Sequence, residues 1–191
     1  MKSLRIMLPF ALMSFCTIAF AQSDAHQSLD KTPPTEAQKS FGQLKNLAGN
    51  WQGTVTVDPP QPGWGNGTQA QISLRVTSRG NALVHEMHEL GKADDPTKAD
   101  HPVTMLYLEG DRLVLTHYCD AGNRPRMVAR TSPDGRKVEF DFLDLSGSNQ
   151  HGHMDHGVFT TIDANHHIED WTYMMPGDKP VRAHLDLTRA Q

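Results

Sequence analysis

Eleven of the 191 residues are histidine, and five of them fall in one run, SNQHGHMDHGVFTTIDANHHIEDW, between Ser148 and Trp171. These are His151, His153, His156, His166 and His167. A metal ion asks for several neutral imidazoles or carboxylates converging at about 2.0–2.2 Å. His151 and His153 sit two apart, so on a strand both rings point to one side. His117 would add a ligand from another strand, and His184 in VRAHLDLTR a further one. The candidate divalent-metal set is therefore His117, His153 and His184. The alternative is that the late histidines are rim residues bonded to water and neighbours. His117-Tyr118-Cys119 offers a thiol and an imidazole, the parts of a nucleophile and its base. No third group to orient them is visible, so a buried thiol beside a hydrogen-bonded histidine is the plainer reading. His85 reads the same way, and Trp171 reads equally as a ligand contact or as core.

What the chain lacks narrows the chemistry. No phosphate-binding loop, nucleophile elbow, helical HExxH or paired CxxC occurs. Standard hydrolase, kinase and redox machinery is thus not in view, and a non-enzymatic role is expected. Cys16 and Cys119 are the two cysteines, and Cys16 lies within the first 21 residues.

Those first residues, MKSLRIMLPFALMSFCTIAFA, carry a basic start at Lys2 and Arg5, an apolar run from Ile6 to Phe20, and a small-residue motif ending at Ala21. This is the pattern of a cleaved secretory signal peptide, residues 1–21, and predicts a periplasmic or secreted protein. Without Lys2 and Arg5, 16 basic side chains face 22 acidic ones, a formal charge of −6. That balance argues against nucleic acid as a partner. No later run is apolar enough to insert in a membrane. After cleavage Cys119 is alone, so no internal disulfide forms.

The elements that must position the histidines are strands. Residues 22–34 are polar, end in Pro-Pro and read as a disordered linker. Thr35 then caps a short amphipathic helix carrying Phe41, Leu44 and Leu47, with Gly49 ending it. From there, runs of seven to ten residues with period-two patterning alternate with turn signals. Ten strands are predicted, at 50–57, 69–78, 81–90, 102–109, 112–119, 125–132, 136–144, 154–162, 166–175 and 180–189. Short turns make neighbours antiparallel, and ten strands in a meander close to remove their edges. The expected domain, 35–191, is an all-β, ten-stranded antiparallel up-and-down barrel with one N-terminal helix.

Hairpin parity tests this. A turn at Arg79-Gly80 sets Leu83 opposite Val76, His85 opposite Leu74 and Met87 opposite Ile72. A turn at Gly110-Asp111 sets Leu113 opposite Leu108, Leu115 opposite Leu106 and His117 opposite Thr104. A turn over 132–135 sets Val138 opposite Ala129 and Phe140 opposite Met127. Each hairpin sorts into an apolar inside and a polar outside, with His85, His117 and Cys119 inside.

The last three strands are ambiguous. Two-residue turns at Ala164-Asn165 and Gly177-Asp178 collect His156, His167, Glu169, Trp171, His184 and Asp186 on one face. The other face holds His151, His153, Asp155, Phe159, Asp170, Met174, Leu185 and Leu187. The second is more apolar, and burial favours it as the inner one. His153 and Asp170 then line the lumen or its mouth, unless a bulge at Gly152 or Gly157 mixes the sets.

The opening FGQLKNLAGNWQGTV, a short helix running into Gly49-Asn50-Trp51 with Gly53 after it, resembles the start of calycin-type barrels. LEGDRLVLTHYCDAGNRPRM and HHIEDWTYMMPGDKPVRAHLDLTR resemble an exported bacterial family of uncharacterised lipocalin-like proteins. A more distant resemblance is to nitrobindin, a ten-stranded barrel with a haem-ligating histidine on its last strand, which implies haem at His184. Val55 and Val57 stand where that family carries further small residues.

The sequence thus predicts an exported binding protein for a small, partly apolar ligand. Leu74, Leu83, Met87, Leu106, Leu115, Met127, Phe140 and Phe142 would wall a cavity. His85, His117, Cys119, His153, Asp170 and Trp171 would contact the ligand. Two alternatives are a metal- or haem-dependent protein using the barrel histidines, and a structural envelope protein whose barrel is filled by side chains.

Overall fold

A computed structural model of the protein describes residues 33–61, 67–91, 95–132 and 135–190. The expected signal peptide and nearly all of the expected linker lie outside the described residues. Helix α1 spans Glu36–Asn46. Thr35 accepts from the Gln38 N–H while the Gln38 side chain accepts from the Thr35 N–H, a reciprocal cap that satisfies two free donors of the first turn. Its apolar face buries Phe41 and Leu44, with Leu47 just beyond its end. No helix among the described residues is long and apolar enough to cross a membrane.

Ten strands follow: β1 Gly49–Asp58, β2 Thr68–Thr77, β3 Ala82–Glu89, β4 Val103–Glu109, β5 Arg112–Tyr118, β6 Arg124–Thr131, β7 Lys137–Ser146, β8 His153–Asp163, β9 His166–Met175 and β10 Lys179–Arg189. Each pairs antiparallel with its neighbours in sequence, and β10 returns to β1, closing the barrel. The architecture is the predicted one, and the strand limits agree within two residues. Gly49 opens β1 rather than ending the helix.

The first hairpins carry the predicted register. Leu83 pairs with Val76, His85 with Leu74 and Met87 with Ile72. Leu113, Leu115 and His117 pair with Leu108, Leu106 and Thr104. The third hairpin has a longer turn, so Phe140 pairs with Ala129 and Val138 with Thr131, but the faces are unchanged. Outside, Arg126 bridges Glu109 and Asp144, and Arg130 reaches Asp141, forming cross-strand ion pairs on the polar face.

The last three strands are corrected by three local irregularities. Asp163 pairs with His166 across Ala164-Asn165 as expected, but Ile162 bulges out, so His167 faces Thr161 rather than Ile162. The β9–β10 turn holds three residues, not two: Met175 pairs with Lys179 across Pro176, Gly177 and Asp178. Gly177 and Asp178 both take positive φ, 80° and 55°, the left-handed conformation such a turn needs. Trp171 therefore faces Ala183, not His184. A further bulge at Asp155 shifts the start of β8. The lumen thus receives Gly157 and Phe159 from β8, His167, Glu169 and Trp171 from β9, and Leu185 and Leu187 from β10, a mixture of the two expected faces.

The helix and the turns between β2 and β3, β4 and β5, β6 and β7, and β8 and β9 share one end, where Lys45 reaches the Gly80 carbonyl and Trp51 Nε1 donates to the Leu47 carbonyl. Arg189 lies over the Trp51 ring at 4.2 Å and donates to the carbonyls of Ala48 and Ala164, fastening β10 to the helix end.

Candidate functional site

The centre of the lumen is occupied by a carboxylate. Glu169, on β9, is fully buried. His85 Nε2, from β3, lies 2.9 Å from its Oε2. Trp171 Nε1 donates to the same oxygen at 3.0 Å, and His167 Nε2 meets Oε1 at 3.0 Å. Alternation on one strand aligns His167, Glu169 and Trp171 on the inner face. Burial by itself would raise the carboxyl's pKa. The positive charge of His85 and the N–H bonds from His167 and His85 outweigh it and hold Glu169 well below the usual carboxylate range. Among the described residues the buried His167 Nδ1 has no hydrogen-bond partner, so the ring meets Glu169 through Nε2 alone. The edge-on contact of this ring with Trp51, at 4.2 Å, fills the space beside it.

Trp171 caps this group. Its ring lies near His85 at 5.9 Å, Phe159 at 5.5 Å and His117 at 6.0 Å. Gly157, its cross-strand partner, leaves room for it: a Cβ there would stand 2.8 Å from the indole. His117, on β5, is 4% exposed, and its Nδ1 pairs with Thr104 Oγ1 at 2.8 Å. Burial, with the charge on His85 adding to it, lowers its pKa to about 4, so the ring is neutral at ordinary pH. Among the described residues its distal Nε2 makes no protein hydrogen bond.

Burial changes along the barrel axis. Towards the helix, the residues expected to wall a cavity are packed together instead: Leu74, Leu83, Leu106, Leu115, Met127 and Phe140 are at most 2% exposed and belong to one cluster. Phe142 is 39% exposed, against His153 at the edge of the barrel. Towards the other end burial is mixed, with Val57, Ala70, Met154 and Val181 buried. Val55, Met87, Tyr173 and Ala183 are only half-buried, and Cys119 is too. The half-buried set sits at the barrel end opposite the helix, above the solid plug formed by the core cluster and Glu169. Asn123 pins the loop beside it by donating to the carbonyls of Ser148 and Gly152, and Tyr173 donates to the His151 carbonyl.

Of the predicted site residues, His85, Trp171 and His117 gather around Glu169, and Cys119 follows His117 on the same face. Asp170 and His184 do not join them. They pair with each other at 2.6 Å on the outer face, each about half exposed. His153 pairs in register with Met174, on the face opposite Met154 and Tyr173, and its Nδ1 is held by Asn149 at 2.8 Å. The expected metal set is thus dispersed: His117 lies in the lumen, His184 on the outer face, and His153, buried against Phe142, at the barrel edge. Among the described residues no three His, Cys, Asp or Glu side chains group as metal ligands. Haem at His184 does not fit either, because that ring points away from a lumen already filled by Glu169, Trp171 and Phe159. Glu169 and His167 were placed by the sequence on the less favoured face. Their alternation with Trp171 was the signal, and only the bulge at Ile162 and the three-residue turn hid it.

Two concavities mark the surface. One, of about 620 Å³, lies on the polar outer face of β1, β2 and β10, around Gln52, Thr54, Gln69 and Thr188. The other, of about 290 Å³, lies beside α1 between Glu36, Ser40, Arg112 and Arg130. Neither contains the histidines.

No family model matches the sequence, and no curated protein does. Among solved structures the chain is similar to a protein of unknown function from the DUF3598 family of Nostoc punctiforme, at 8% identity and a TM-score of 0.24, over 82% of this chain and 100% of that one. The barrel assignment rests on the strand pairing of this chain itself.

Proposed function

We propose that this is an exported, non-enzymatic protein that holds a small, partly apolar ligand in a shallow cup at the barrel end opposite the helix, with Trp171 and His117 as its floor. The observation that supports this reading is the set of inward-facing apolar residues left half-buried at that end, Val55, Met87, Tyr173 and Ala183. Partly exposed apolar surface of this kind is what an occupant would cover. Apolar contact comes from these side chains and from Trp171, and one hydrogen-bonding atom, His117 Nε2, is directed at the ligand. A neutral imidazole exchanges its bond with water for one with a ligand at little cost, which a buried charge would not. The plug below would serve as a rigid floor, so that binding needs no rearrangement of the core. The signal-peptide pattern of residues 1–21 supports export.

Titration with a neutral apolar dye, N-phenyl-1-naphthylamine, tests the reading. Saturable binding at one site, with a Kd of about 1–100 µM, is expected. Met87→Glu and Ala183→Glu should each abolish it without unfolding the barrel. Absence of binding by the folded protein would reject the cup.

One observation favours a second reading, a structural envelope protein with a filled barrel: the charged plug closes the lumen at the level of Glu169. That reading requires the same dye experiment to fail.

A further inference from the structure

Strand β9 is turned over relative to both of its neighbours by a single residue on each side. Towards β8 the extra residue is Ile162, which bulges out between Thr161 and Asp163. Towards β10 it is the third residue of the turn Pro176–Gly177–Asp178. The two irregularities cancel between β8 and β10, which keep Phe159, Leu185 and Leu187 on the inner face. Only the face that β9 shows to the lumen depends on them.

A slide of β9 by one residue would absorb both irregularities at once. Ile162 would then pair with His167, and Pro176 with Lys179, leaving Gly177-Asp178 as a two-residue turn whose leading glycine suits a hairpin. The observed turn instead holds Asp178, a non-glycine, at a φ of 55°, against its local preference. After the slide Ile168 would stand opposite Leu187, Asp170 opposite Phe159 and Leu185, and Thr172 opposite Gly157 and Ala183.

What the slide would lose is the surroundings of the carboxylate. Glu169 takes bonds from His167 and Trp171, its same-face neighbours on β9, and from His85 across the lumen. Asp170 in its place would have Ile168 and Thr172 beside it, and neither carries a ring N–H. The indole would also leave the space that Gly157 keeps for it. Carboxylate, flanking donors, cross-barrel imidazole and glycine slot match in one register and not in the other. Buried polar groups of this kind contribute more to the choice of register than to net stability. We propose that β9 has two registers one residue apart, and that Glu169 with His85, His167 and Trp171 is the key that holds the observed one.

Disulfide trapping between β9 and β10, in the full chain carrying Cys119→Ser, tests this. Thr172 and Arg182 are directly paired with their side chains outward, so T172C/R182C reports the observed register. Tyr173 faces inward there but would meet Arg182 on the outer face after the slide, so Y173C/R182C reports the second register. With Glu169 intact, the first pair should close at least about tenfold faster than the second, because only its Cβ atoms point the same way. Glu169→Lys sets a cation against His85 in the observed register. The slide relieves this by carrying residue 169 outward and bringing Asp170 in, so the preference should invert. Trp171→Ser, which removes a donor and the ring without adding charge, should bring the two rates together. If T172C/R182C still closes first by the original margin in both variants, β9 has one register and the proposal falls. A Glu169→Lys chain that does not fold overturns it too, because the second register is a folded alternative.

Discussion

His85 and Glu169 stand on β3 and β9, four strands apart around a closed ring of ten, and still meet at 2.9 Å through the middle of the lumen. The bond joins two walls that share no backbone ladder. It is also the point where a fully buried carboxylate finds charge and donors at once. Removing one partner of such a pair leaves the other buried and uncompensated, which costs about 3–5 kcal/mol. Glu169→Gln keeps the shape but loses the charge, and is expected to destabilise by about that amount in urea unfolding. In a double-mutant cycle with His85→Gln the two losses should fall short of adding, because the second substitution removes the partner that the first stranded. Full additivity would show that the pair does not tie the walls.

Stability should fall on acidification, beginning near neutral pH. The unfolded His117 takes a proton at about its ordinary value of 6.5, whereas the folded ring resists until about 4. Between these values the unfolded chain binds more protons, so stability rises with pH and is lost as pH falls through the window. The gap corresponds to about 3 kcal/mol. Glu169 works in the same direction lower down: its carboxylate is held below the ordinary 4.5, so its contribution is present above that value and disappears beneath it. Urea midpoints measured from pH 8 to pH 4 check the sign, and His117→Gln should flatten the upper part of the curve. A wild-type profile that is flat from pH 6.5 to 4 would show that His117 titrates normally in the fold.

How far these features were legible from sequence depends on the turn. Val76/Leu83 and Leu106/Leu115 were placed correctly because parity survives any even-numbered error in turn length, and both hairpins are even. The turn at Pro176–Gly177–Asp178 is odd, and Ile162 is an extra residue in its strand. Each reverses every side chain beyond it. That sent Asp170 and His184 inward on paper, when they form an exposed pair. The hydrophobic argument for the favoured face was sound for Leu185 and Leu187 and wrong for β9. There three N–H donors stabilise Glu169, and burial statistics for single residues do not register such a network. The filling of the lumen was not legible because it depends on which side chains meet across the barrel, as His85 and Glu169 do.

The outer pair provides a control. Asp170 and His184 are each about half exposed, and exposed pairs of this kind contribute about 0–1 kcal/mol. His184→Ala is expected to change stability by less than about 1 kcal/mol and to leave dye binding unaltered. A large loss of either would return His184 to the functional site.

Gly157 sets the position of the Trp171 ring, and hence the level of the cup floor. A methyl group at residue 157 would stand 2.8 and 2.9 Å from two indole carbons, so the ring must shift or the strands must part. Overpacking of this sort costs about 1–3 kcal/mol. A shifted ring also loses its alignment with Glu169 Oε2, leaving the carboxylate one donor short. Gly157→Ala should therefore lower stability by that amount, change the Trp171 fluorescence and weaken dye binding together. Trp171→Phe, which keeps the aromatic body but lacks the N–H, separates the two effects: it should retain dye binding and lose stability. If Gly157→Ala is neutral in all three measurements, the ring does not rest on the glycine, and the floor of the cup is set elsewhere.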